Sequence, residues 1–190
     1  MINIKNSKLE YFEIFKKRKK AKNYQKDCNN FKLKDKIRED LLQKQNNQCT
    51  YCERKIDKRN YHIEHIRQRD KFHKLECEYS NLVLSCNDEN SCGKYKDSKK
   101  NPIAKYWQDE FIHPVLDNPE EYFSFNEDGQ IFAIKENATR TIKYLNLNSP
   151  KLIRSRKHLI LQLIYMKDID NILEYFHEFD NLLKEYSIKA

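Results

Sequence analysis

Two pairs of cysteines constrain this chain more than any other feature. Cys49 and Cys52 form a CxxC pair, Cys86 and Cys92 form a wider one, and a long insert lies between them. Whether such thiols become disulfides depends on the compartment. No segment approaches the roughly 20 apolar residues that span a bilayer, and the first residues, MINIKNSKLEYF, lack the apolar stretch of a secretory signal, so a cytoplasmic, reducing location is expected. There, cysteine pairs are tested first against metal ligation. Each close pair can supply two thiolates to one tetrahedral zinc ion, which then closes the insert into a small stapled unit. Cys28 and Cys77 stand outside this pattern and are expected as ordinary buried thiols.

The rest of the composition suits a chain whose core is small. Of 190 residues, 35% are charged against 38% hydrophobic, so apolar side chains must be buried economically. The 12 Tyr and 10 Phe carry much of that load. At this length one functional unit is expected, in three stretches: an N-terminal helical arm over residues 1–33, a core over 34–112, and a hairpin with C-terminal helices over 113–190. The net charge of +8 favours an anionic partner, although solvated helix faces alone can produce such an excess.

Periodicity supplies the helices. Tyr11, Phe12 and Phe15 stand at helical spacing ahead of the basic run Lys16 to Lys20. Leu33, Ile37, Leu41 and Leu42 make one stripe over residues 33–45, and the Asn46-Asn47 pair ends it just before Cys49. Between two short apolar runs in residues 122–134, Asn126-Glu127-Asp128-Gly129 predicts a hairpin. Residues 152–166 are strongly apolar, and Ile169, Ile172, Leu173, Phe176, Phe179, Leu183 and Tyr186 continue at helical period. These last stripes either pack on each other or dock a partner. The expected fold class is α+β, with a metal-stapled finger on a mainly helical scaffold.

Inside the cysteine frame lies Tyr61-His62-Ile63-Glu64-His65-Ile66-Arg67, followed by Asn81-Leu82-Val83-Leu84-Ser85-Cys86. A histidine is the side chain whose ordinary pKa suits it to take a proton from water near neutrality, which phosphodiester hydrolysis requires. A carboxylate beside it can hold a divalent cation that stabilises charge on phosphate oxygens. His65 and Glu64 are the candidates for those two roles. Neighbouring strand residues point oppositely, so using both requires a strand end or bulge. His62 shares parity with Glu64 and either approaches the same place or is a surface histidine; His73, His113, His158 and His177 carry less signal. Asn81 alone would be read as a turn residue.

The order of these elements over residues 46–100 resembles the HNH (ββα-metal) endonucleases, in which a CxxC knuckle, an acidic residue and a histidine, an Asn-Leu pair and a second cysteine pair follow one another. The resemblance implies DNA as substrate, structural zinc on the four cysteines, and Mg²⁺ or Mn²⁺ as catalytic ion. It further implies that Asn81 holds the loop bearing the base. The position after the last cysteine, usually a metal-binding Asn or His, is Gly93 here; Asn87, Asp88 or Asn90 in the spacer could replace it, and Asn90 keeps the usual distance from Asn81. Lys96 sits where a lysine often follows and either contacts the scissile phosphate or is solvated; Arg67 and Arg69 are further phosphate candidates.

Cys49-Thr50-Tyr51-Cys52-Glu53-Arg54-Lys55-Ile56, Cys92-Gly93-Lys94-Tyr95-Lys96, His113-Pro114-Val115-Leu116-Asp117-Asn118-Pro119 and residues 138–148 look like one branch, PtuB, the nuclease component of Septu and retron-linked antiviral defence systems. That likeness covers about three quarters of the chain. It implies a PtuA-like ATPase partner of the ABC or SMC kind, and in retron systems a reverse transcriptase with its msDNA. The chain has no phosphate-binding glycine loop, so nucleotide hydrolysis would belong to that partner. The alternative expectation is a zinc finger that only binds nucleic acid or regulates an ATPase.

Overall fold

A computed structural model of the chain describes residues 1–4, 8–57, 60–103, 111–165 and 176–189. Helix α1, Glu10–Lys19, places Glu10 and Glu13 in its first turn and Lys16 to Lys19 in its last, matching the helix dipole at both ends. Phe12 is its buried anchor, and Lys20, in the left-handed region, closes it. A short helix not expected from periodicity, α2 at Tyr24–Asp27, is capped by the Asn23 side chain, which accepts from the Lys26 N–H. In α3, Phe31–Lys44, Asn30 caps the first turn and Leu33, Ile37 and Leu41 form the buried stripe. Asn46 and Asn47 both take positive φ, a conformation asparagine tolerates better than most residues, and so turn the chain sharply into Cys49.

Beyond that turn the chain forms a two-stranded antiparallel sheet. β1, Tyr61–His65, pairs with β2, Leu82–Cys86, in the register Tyr61↔Cys86 through His65↔Leu82. All five residues of β2 are buried, because the strand lies between β1, α3 and the short helix α4, Cys92–Lys96. The expected hairpin is present as β3, Phe123–Phe125, and β4, Ile131–Ala133, joined through Gly129 at φ +80°. A Cβ at Gly129 would meet the Ile153 carbonyl oxygen at 2.5 Å, so both conformation and space require glycine there.

Three further helices stand among the described residues: α5, Glu136–Tyr144; α6, Pro150–Tyr165; and α7, Asp180–Lys189. Of the expected C-terminal stripe, Phe179 and Leu183 are buried and Phe176 and Tyr186 partly so, while Met166, Ile169, Ile172 and Leu173 lie outside the described residues. Both ends of the chain return to the Cys49–Cys52 knuckle. Ile2 N–H donates to the Thr50 carbonyl at 2.8 Å, and Phe179 N–H donates to that of Glu53 at 2.8 Å. The architecture is thus a mixed one, two small sheets set among helices around one continuous core. No helix among the described residues is long and apolar enough to cross a membrane.

Arg156 ties α6 to the hairpin. The guanidinium is buried, its Nε donates to the Gly129 carbonyl at 2.6 Å, and Nη2 donates to the Leu147 carbonyl at 2.8 Å and Asn148 Oδ1 at 3.2 Å. Burial lowers its pKa to about 10, which still leaves it charged at neutral pH. Arg156→Met would strand these acceptors away from water. The expected cost is about 3 kcal/mol, read as a lower urea midpoint at unchanged m-value.

Candidate functional site

The four sequence-paired cysteines converge. Cys49 and Cys52 flank a tight turn in which Cys49 N–H donates to the Arg54 carbonyl at 2.9 Å and Glu53 takes positive φ. Cys86 ends β2, and Cys92 opens α4, also at positive φ, with its N–H on the Leu145 carbonyl at 2.8 Å. All four are buried, and their sulfurs lie within 4.8 Å of one another. Cys52 and Cys86 are 3.9 Å apart. Metal–sulfur bonds of about 2.3 Å in a tetrahedron give sulfur–sulfur edges of about 3.8 Å, so the cluster fits a metal such as zinc. Cys86 N–H donates to Cys49 Sγ at 3.3 Å, and an Arg54 guanidinium nitrogen stands 3.9 Å from Cys86 Sγ, donors of the kind that stabilise bound thiolates. Cys28 and Cys77 lie apart from this cluster, buried with their sulfurs 3.4 Å from each other.

A cleft of about 690 Å³ opens beside the end of β1, lined by His62, Glu64, His65, Gln68, Arg69, His73, Gly93 and Asp97 among others. Glu64 and His65 both reach it because the strand stops at His65. That ring is buried, and the edge of Tyr24 packs against it with centroids 4.5 Å apart. Nε2 lies 3.0 Å from the carbonyl oxygen of Glu76, so it carries the hydrogen and donates, and Nδ1 is left with its lone pair. Burial holds the His65 pKa down to about 4, which keeps the ring neutral at physiological pH.

Glu64 is buried and lines the same cleft. Lys96 Nζ stands 2.8 Å from its Oε1, an ion pair buried on both sides. Burial alone would raise the Glu64 pKa, but the charge of Lys96 and the contact with His62 outweigh it and hold the carboxyl at about 2. Lys96 itself is wholly enclosed. It donates to the carbonyls of His65 at 2.9 Å and Ile66 at 3.4 Å and pairs with Asp97 at 3.1 Å, and these carboxylates raise its pKa against the effect of burial. The lysine expected either at a phosphate or in solvent is therefore turned inward, where it holds the strand end.

Asn81 is likewise enclosed. Its Oδ1 accepts from Arg67 N–H at 2.7 Å and its Nδ2 donates to the carbonyls of Arg67 and Leu75, each at 3.1 Å, so one amide stitches both sides of the loop that follows His65. Arg69 is exposed in the cleft, whereas the guanidinium of Arg67 lies over the Phe72 ring. In the spacer, Asn87 Oδ1 is 2.9 Å from His62 Nδ1, Asp88 pairs with Arg54 and Lys151, and the Asn90 carbonyl is held by Asn146. Of these, Asn87 is the one in contact with a residue that lines the cleft, His62. Gly93 has a reason of its own, since a Cβ there would come within 2.8 Å of Glu64 Cδ. The roles of Tyr24, the Glu76 carbonyl, Gln68 and Asp97 carry no sequence signal, since each depends on chain segments brought together by the fold.

No protein-family profile matches the chain. It is 33% identical over 144 residues to the Retron Vc95 putative HNH endonuclease of Vibrio cholerae serotype O1 biovar El Tor, across 68% of this chain and 66% of that protein. The chain belongs to the HNH family of these defence-system proteins. It is also 31% identical over 109 residues to the Septu protein PtuB of Bacillus thuringiensis, across 56% of this chain and 39% of that one. The chain therefore spans from about two fifths to about two thirds of the length of these relatives.

Two outcomes follow from the site geometry. Protein purified without added metal should carry one metal ion on the cysteines, measured by elemental analysis; Cys52→Ser should lose it, and chelation should unfold the knuckle, seen as lost amide-exchange protection over residues 49–56. The second outcome concerns pH. The folded pKa of His65 lies below the ordinary 6.5, so the unfolded chain binds the proton first as pH falls. The stability due to neutral His65 is complete above pH 6.5 and is lost as pH falls toward 4, with about 2 kcal/mol gone by pH 5. In His65→Ala, the difference between urea midpoints at pH 7 and pH 5 should shrink accordingly.

Proposed function

We propose that the chain is a metal-dependent HNH endonuclease that hydrolyses phosphodiester bonds of DNA, with His65 as general base. The observation that carries this reading is the tautomer of His65. Its Nε2–H is committed to the Glu76 carbonyl, its ring is kept neutral by burial, and Nδ1 has no described hydrogen-bond partner beside the cleft. Nδ1 would take the proton as water attacks phosphorus. Asn81 would act through the loop, fixing the residues that position the imidazole. Glu64 would hold the divalent ion, whose chemistry is to stabilise negative charge on the phosphate and leaving oxygens. The finer fold assignment follows: β1, β2 and α4 form the ββα finger, and residues 34–112 the nuclease core with zinc on Cys49, Cys52, Cys86 and Cys92.

Charge supports a nucleic-acid path. Arg69 stands exposed in the cleft, and an adjoining cavity of about 1190 Å³ shares Asn23, His73 and Glu76 with it. Lys16, Lys17, Lys20, Lys22 and Lys74 line that cavity beside Glu13, Glu76 and Glu78, with Lys16 paired to Glu78, so phosphates flanking the bond to be cut would meet an excess of lysine over carboxylate. The names of the relatives, a retron putative HNH endonuclease and a Septu protein PtuB, support a role in Septu- or retron-type defence. On that basis we assign the chain a PtuA-like ATPase partner and, in a retron setting, a reverse transcriptase with its msDNA.

Plasmid nicking in Mg²⁺ or Mn²⁺, assayed with and without such a partner, is the test. His65→Ala should lower the rate by a factor on the order of 10² to 10⁴ while metal content and DNA binding persist. Unchanged cleavage in that variant overturns the assignment, and DNA binding without cleavage in the wild type would mark a binding module instead.

A further inference from the structure

His62 and Glu64 sit two apart on β1 and so share a face, and His62 Nε2 lies 3.1 Å from Glu64 Oε2. On the other side of the ring, Nδ1 is 2.9 Å from Asn87 Oδ1. With the amide in this orientation Nδ1 donates, and Nε2 presents its lone pair to a carboxylate oxygen. Two lone-pair atoms at that separation repel unless a cation lies between them. A proton satisfies the contact, and so does a metal ion: ligands about 2.1 Å from an octahedral ion and at right angles to one another are about 3.0 Å apart.

Three surrounding features favour the metal. Glu64 Oε1 is ion-paired with Lys96, and Asp97 Oδ1 is engaged by Lys96 and by Gln68 at 2.6 Å, so Oε2 is the Glu64 oxygen that meets His62. Two carboxylates and one ammonium leave a single net negative charge, which suits a dication. Gly93 offers no donor, and no side chain fits there while Glu64 keeps its place, so a second protein ligand must come from another element. His62 is the nitrogen already in position, oriented from behind by an oxygen in the way metal-binding histidines usually are.

We propose that His62 Nε2 and Glu64 Oε2 together ligate the divalent cation, and that this mixed nitrogen–oxygen pair selects Mn²⁺ or a similar transition ion over Mg²⁺. The inference rests on Glu64 being the carboxylate that holds that ion. Imidazole nitrogen binds manganese, cobalt and nickel more readily than the hard magnesium ion, which is the source of the preference.

Zinc-loaded protein titrated with Mn²⁺ and followed by electron paramagnetic resonance tests both claims. Wild type should bind one Mn²⁺ at the cleft, with echo modulation from a directly bound imidazole nitrogen. The same modulation should survive in His65→Ala. His62→Ala and His62→Asn should abolish it and weaken Mn²⁺ roughly tenfold or more, while Mg²⁺, read by competition, weakens less. Circular dichroism and zinc content show that each variant is folded. If Mn²⁺ binding depends on Glu64, lost in Glu64→Gln, but shows no nitrogen modulation, or if modulation persists in both His62 variants, the assignment of His62 is overturned and the role of Glu64 stands. If wild type binds no Mn²⁺, or Glu64→Gln binds it unchanged, both fail.

Discussion

The convergence of four sulfurs underlies everything else in this protein. The sheet that carries the candidate residues has two strands of five residues, a size that is marginal in water by itself. Cys49 and Cys52 lie on a turn ahead of β1, Cys86 at the end of β2, and Cys92 at the start of α4, so drawing them within 4.8 Å fixes three elements against each other at one point. The two chain termini then pack on that same turn through Thr50 and Glu53. A centre built this way needs only a small apolar core, which fits a chain in which charged and hydrophobic residues are almost equally common.

Lys96 extends that order to the cleft. It follows Cys92 by one helical turn, so the sulfur cluster sets its position, and its ammonium bridges the carbonyls of His65 and Ile66 to the carboxylates of Glu64 and Asp97. Removing an ammonium from water is costly, and here four acceptors offset the loss. The result is stiffness where it counts. The end of β1 is held from below by Lys96 and from the side by Asn81, so Glu64 and His65 keep fixed positions although they lie at the point where strand pairing stops.

Much of this was legible beforehand, and the physical reason differs from one element to the next. The cysteine pairs were readable because metal ligation leaves few alternatives for buried thiols at such spacing. The Leu33, Ile37, Leu41 stripe and the turn at Gly129 were readable because periodicity and backbone freedom are local properties. Helix α2 was not, since four residues offer no period. Lys96 was misplaced at the surface or on a phosphate because one lysine among so many carries no sign of inward direction. Gly93 looked like a missing ligand, whereas the fold makes it the space that the Glu64 carboxylate occupies. The Glu76 carbonyl that sets the tautomer of His65 is a backbone atom, and no residue type announces it.

The two histidines of β1 show how little residue type decides by itself. His65, at the strand end, is pressed against Tyr24 and shut away from water, and burial lowers its pKa to about 4. His62, three residues earlier, keeps a quarter of its side chain exposed and has an oxygen at each ring nitrogen. A ring with one nitrogen held by a carbonyl and the other without a partner among the described residues suits proton transfer; a ring set between a carboxamide and a carboxylate suits a fixed cation. One short strand thus holds two imidazoles on opposite faces, and what separates their chemistry is the alternation of the β backbone and the depth at which each face meets the cleft.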